Sequence, residues 1–99
     1  MILVRDIFQI KFGKAKDAIA SVKQFKPLAE KSGHKGEVRF TTDLTGRFYT
    51  LVMETTYASM TEYESFLKQT QGTEDFGAWY KGFVPFIESG SRELYTVVE

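Results

Sequence analysis

The segment from Glu37 to Thr56 holds two runs of alternating residues around Asp43-Leu44-Thr45-Gly46, and no other stretch constrains the fold as much. Aspartate first and glycine fourth suit a type I turn closed by a left-handed glycine, so the segment reads as a β-hairpin. A tight turn there sets Val38 opposite Val52, Phe40 opposite Thr50 and Thr42 opposite Phe48 on one face. The other face pairs Glu37 with Met53, Arg39 with Leu51 and Thr41 with Tyr49. The first face suits a covering helix. The second is too apolar for open water and too polar for an ordinary core, which points to another subunit as its cover.

The flanking segments supply the helices. Residues 2 to 12 alternate, with Ile2, Val4, Phe8, Ile10 and Phe12 on one side and Leu3, Arg5, Ile7, Gln9 and Lys11 on the other, and Gly13 ends the strand. From Lys14 to about Lys31 the apolar positions move to helical spacing, with a kink expected between Gln24 and Pro27 because proline lacks the backbone donor. Ser32-Gly33 reads as the stop. Ser59-Met60-Thr61-Glu62 matches a capping box, Thr73 can cap a further helix with Phe76, Trp79, Tyr80 and Phe83 on one stripe, and Pro85 closes it. Residues Glu88 to Glu99 form the last strand. The order βαββαβ, with its second helix in two parts, predicts an α+β, ferredoxin-like sandwich: a four-stranded antiparallel sheet with its helices on one face. The other face would then be bare, with Leu3, Ile7, Tyr49, Leu51 and Met53 upon it.

A chain of 99 residues fits a single domain, residues 1–99, and 9 Phe and 5 Tyr supply a core without disulfides or metal. The 13 basic and 13 acidic residues cancel, so no field recruits nucleic acid or an anionic membrane. Gly46 to Met53 superficially resembles the aromatic strand of an RNA-binding domain, but its stacking positions are not filled. Cysteine is absent, which removes thiolate metal sites and cysteine nucleophiles and is compatible with a reducing cytoplasm, the expected location. The opening Met1-Ile2-Leu3-Val4 is too short for a signal peptide or a membrane span. No glycine-rich phosphate loop or other cofactor motif occurs, and a lone histidine without carboxylates at ligand spacing predicts no metal.

The site candidates follow from the two faces. Arg5, Gln9, Arg39, Thr41, Tyr49 and Met53 fall on the mixed face and would line a cavity able to orient a polar or anionic ligand. Their alternative role is structural, with Arg5 and Arg39 paired to Glu37 or Glu93 at the rim. His34, at the predicted helix end, either contacts the ligand or simply complements the helix dipole. Asp6 and Glu54 fall on helix-facing sides, where an unpaired carboxylate is costly, so a sheet-end position or a lysine from the first helix is the expected remedy. Trp79, Tyr80, Phe83 and Phe86 read as a buried helical face before an aromatic-ligand box.

The element order, the step Phe12-Gly13-Lys14 and the stretch from Trp79 to Leu94, ending in Ser91-Arg92-Glu93-Leu94, resemble the NIPSNAP family of the dimeric α+β barrel superfamily. The resemblance spans nearly the whole chain. It implies a homodimer whose two sheets pack face to face, with a pocket in each half. It also implies relatives that include cofactor-free monooxygenases, haem-degrading enzymes and chlorite dismutase-like proteins, among which the fold alone does not choose. The haem-degrading type relies on an asparagine, and this chain has none. The expectation is therefore a homodimer that binds a small, partly apolar molecule between sheet and helices, with polar contacts from Arg39, Tyr49, His34 and Arg5 and an apolar one from Met53. Any catalysis would be cofactor-independent. The competing expectation is an interaction module with a filled barrel, acting through its outer helices or hairpin tip.

Overall fold

A computed structural model describes residues 1–99 as a slab 37 × 35 × 18 Å. The 18 Å thickness accommodates one sheet and one helical layer. Strands β1 (Ile2–Ile10), β2 (Val38–Thr42), β3 (Thr50–Tyr57) and β4 (Ile87–Thr96) form an antiparallel sheet in the order β2-β3-β1-β4. Helices α1 (Ala15–Val22), α2 (Phe25–Lys31), α3 (Met60–Thr70) and α4 (Glu74–Phe83) cover one face, and a 3₁₀ turn, Val84–Phe86, leads into β4. This is the ferredoxin-like α+β architecture expected from the sequence. No helix is long and apolar enough to cross a membrane.

Local chemistry accounts for the helix ends. The expected kink is a full break, and Pro27 becomes the third residue of α2, where a missing N–H removes no intrahelical bond. Gly33 ends α2 at φ +92, with its N–H donating to the Glu30 carbonyl and that of His34 to Ala29, both at 3.0 Å. Ser59 Oγ accepts from the Glu62 amide at 3.2 Å, and Glu62 reaches back to the Ala58 amide at 2.6 Å. Thr73 caps α4 through the Phe76 amide.

The hairpin register differs from the tight-turn expectation. Val38 pairs with Thr55, Phe40 with Met53 and Thr42 with Leu51. The connection is a wider loop in which Asp43 both donates to the Thr50 carbonyl and accepts from its amide. Gly46 takes the expected positive φ, but Tyr49 also turns left-handed, at φ +57, and this carries the chain past the tight turn. The register moves by three residues, an odd shift that exchanges the two faces of β3 relative to β2. Leu51, Met53, Thr55 and Tyr57 therefore enter the core, where each is at most 5% exposed. Thr50, Val52, Glu54 and Thr56 take the bare face instead. Leu51 and Met53 are thus unavailable to fill a barrel between two sheets, and Glu54 is not helix-facing. Burial selects this register, because the helical layer supplies apolar partners for Leu51 and Met53 that the bare face lacks.

The core is layered between these surfaces. Val4 and Leu51 on the sheet meet Ala18, Val22 and Ala29, whose small side chains let α1 and α2 approach closely. Phe25, Phe66 and Phe83 fill the space toward α3 and α4.

Candidate functional site

On the helix side, a cavity of about 110 Å³ lies between the sheet and helices α3 and α4. A dry apolar cavity of roughly 150 Å³ suffices to hold benzene; this one, at about 110 Å³ and partly open to solvent, encloses less than a whole ring. Its floor is built by residues two apart on three strands: Val4, Asp6 and Phe8, then Met53, Thr55 and Tyr57, with Arg92 from β4. Tyr63, Phe66 and Leu67 from α3 and Phe76, Trp79 and Phe83 from α4 form the walls. The aromatic stripe read from the sequence is therefore core and cavity wall together. Trp79 is held by its Nε1–H, which donates to the Ser21 carbonyl at 2.7 Å, and by stacking on Phe83 at 5.1 Å.

The floor is charged at one point. Asp6, 6% exposed, stands directly across from Arg92, whose Nε donates to its Oδ1 at 2.5 Å. The partner of this helix-facing carboxylate comes from the edge strand and not from a lysine of the first helix. Burial pulls the Arg92 guanidinium down, and the hydrogen bond and charge of Asp6 outweigh it, so its pKa lies above the ordinary value. Burial pushes the Tyr57 phenol up to about 12 against the opposing hydrogen bond to Thr55. Burial also raises Tyr63, while Arg92 opposes the rise. Both phenols remain protonated at neutral pH and are donors. The cavity thus sets an acceptor carboxylate, a guanidinium and two phenols beside an aromatic wall. A hydroxyl on a bound molecule can donate to Asp6 while Arg92 faces the charge that develops on its oxygen.

Of the five residues expected to contact a ligand, Arg39, Tyr49, His34, Arg5 and Met53, the structure brings only Met53 to this cavity, while Asp6, Trp79, Tyr80 and Phe83 of the other candidates also line it. Arg5 and Arg39 lie on the opposite face. Arg39 Nη2 meets Glu54 Oε1 at 2.6 Å, Arg5 Nε meets Glu54 Oε2 at 3.3 Å, and Arg5 Nη1 meets Glu93 Oε1 at 2.8 Å. Tyr49 is at the hairpin loop, edge-on to Phe12 at 5.0 Å. His34 is buried beside Tyr57 and Phe66, with Nε2 donating to the Thr56 carbonyl at 2.7 Å, which places it behind the cavity wall. Arg92 was missed because its partner is 86 positions away; the one available signal was the unexplained carboxylate at Asp6.

No family model matches the chain. No curated protein matches its sequence. Solved structures do match its fold. An uncharacterized NIPSNAP domain protein from Burkholderia xenovorans superposes with a TM-score of 0.87 at 13% identity, over 99% of this chain and 95% of that one. A NIPSNAP family protein from Agrobacterium tumefaciens gives 0.87 at 14% identity, over 99% and 93%. An antibiotic biosynthesis monooxygenase gives 0.77 at 12% identity, over the full length of both chains. The chain therefore has the ferredoxin-like α+β fold of these NIPSNAP domain and antibiotic biosynthesis monooxygenase structures.

Proposed function

We propose that this protein is a homodimer that binds a small, partly apolar molecule in the cavity between sheet and helices, with the ligand's oxygen-bearing end at Asp6 and Arg92. The observation that carries the reading is a buried carboxylate, paired with a half-exposed guanidinium, at an otherwise largely apolar cavity. The test uses phenol and toluene, which share a ring and differ in one hydroxyl, and reads the emission of Trp79, the single tryptophan. Both probes shift the emission. Phenol binds roughly three- to tenfold tighter, the worth of one hydrogen bond. Leu67→Phe, which fills the cavity, abolishes both responses. Unchanged emission with both probes, together with no extra mass carried by freshly purified protein in native mass spectrometry, overturns the reading.

A second reading, an interaction module, draws on the hairpin end, where Leu44 is 99%, Phe12 77% and Phe48 76% exposed. It expects Leu44→Ser with Phe48→Ser to leave probe binding intact and remove a cellular partner. Loss of probe binding in that variant speaks against it.

A further inference from the structure

A second cleft lies behind the cavity wall. It measures about 130 Å³, opens to solvent between the end of α2 and α3, and is lined by Ser32, Gly33 and His34 on one side and by Glu62, Ser65 and Gln69 on the other. Tyr57 and Phe66 line both this cleft and the cavity and stand between them. His34 is 7% exposed and its Nε2 donates to the Thr56 carbonyl at 2.7 Å, so the proton sits on Nε2 and Nδ1 presents a lone pair. That lone pair has no donor within the chain. Nε2 is enclosed by Thr56 and Gly36, neither of which lines the cleft, so the ring edge turned toward the cleft is the one that carries Nδ1.

We infer that this cleft is a binding site for a small primary ammonium group, separate from the cavity and independent of the reading given for it. The lining chemistry is one-sided. Glu62 is fixed by the cap it makes: its Oε2 accepts from the Ala58 amide at 2.6 Å, and its Oε1 makes no bond within the chain. Ser65 and Gln69 follow it on the same face of α3 and add a hydroxyl and an amide oxygen. Ser32 and Gly33 bring the carbonyl end of α2. No lysine or arginine lines the cleft. An anion there would meet acceptors and a carboxylate, whereas a positive group with three N–H donors satisfies Nδ1 and Glu62 together. The ring faces of Tyr57 and Phe66 suit the same charge. One carboxylate and one imidazole are too few to hold a metal ion, and no third residue of that kind is grouped with them. Buried acceptors are nearly always hydrogen-bonded, so Nδ1 sets the demand for a donor and the adjoining carboxylate sets its charge.

The chain has one histidine, so nitrogen-15 labelling of histidine gives a single Nδ1 and a single Nε2 resonance. Methylammonium chloride is titrated into the protein at fixed, mildly alkaline pH and constant chloride. The Nδ1 resonance shifts saturably while Nε2 barely moves. Tetramethylammonium, with the same charge and no N–H, binds roughly tenfold more weakly, the worth of one hydrogen bond to a charged group. Glu62→Gln keeps the helix cap, because glutamine serves it equally, and weakens methylammonium by a similar factor. Ser65→Leu fills the cleft and removes the Nδ1 response with the far-ultraviolet circular dichroism spectrum unchanged. An Nδ1 resonance that methylammonium does not move overturns the inference, as does an equal response to tetramethylammonium or to sodium at the same concentration. Either failure leaves the phenol and toluene response of Trp79 as it was, so the cavity is judged separately.

Discussion

At the scale of single residues, the Asp6–Arg92 pair carries the most consequence, because Asp6 is buried and its only charged partner is on the edge strand. Arg92→Leu leaves that carboxylate unpaired and should cost roughly 2 to 3 kcal/mol in urea unfolding, below the full value for a buried pair because Arg92 is half exposed. Asp6→Asn combined with Arg92→Leu should recover much of the loss, and a double-mutant cycle measures the coupling. Tyr57 gives a pH signature. Its folded-state pKa is raised, from 10.0 to about 12, so the folded state holds the proton more tightly. Its contribution to stability is complete below pH 10 and is lost as pH rises toward 12, with a slope of up to about 1.4 kcal/mol per pH unit. Tyr57→Phe should flatten that alkaline fall in a series of denaturant midpoints.

At the scale of elements, caps and stops decide where helices begin and end, and these were legible. Ser59, Thr73 and Gly33 do what their residue types suggest, because caps and glycine stops act within a few residues and need no distant partner. Ser59→Ala should lower stability by about 1 kcal/mol in urea unfolding with the fold unchanged. Gly36 lies beyond local reasoning. A Cβ there would stand 2.1 Å from the Thr56 carbonyl oxygen and 2.9 Å from His34 Nε2, so Gly36→Ala must displace β3 backbone or the histidine. It should lower the thermal midpoint more than Gly33→Ala does, and the reverse order would contradict this packing. The hairpin was legible as an element and misread in register. Asp43 and Gly46 announced a turn, while the left-handed Tyr49 that lengthens it had no sequence signal.

At the scale of the whole molecule, the uncovered sheet face sets behaviour in solution. It keeps Leu3 and Ile7 beside Val52 and the ion pairs of Arg5, Arg39, Glu54 and Glu93, less apolar than the tight-turn register implied because Leu51 and Met53 have gone to the core. On the homodimer reading, Ile7→Glu should give a monomer by sedimentation with an unchanged far-ultraviolet circular dichroism spectrum, since Ile7 points away from the helices. An intact dimer would show that the interface lies elsewhere.

By itself the sequence determined the element order, the antiparallel sheet with helices on one side, the caps and the aromatic face of α4, because periodicity and capping are local physics. Only the tertiary structure decided which side of the sheet holds Met53 and Glu54, that Arg92 answers Asp6, and that Arg5 and Arg39 pair with Glu54. Those outcomes depend on register and on partners from distant strands, and a three-residue change in one loop is enough to exchange every inward and outward side chain of a strand.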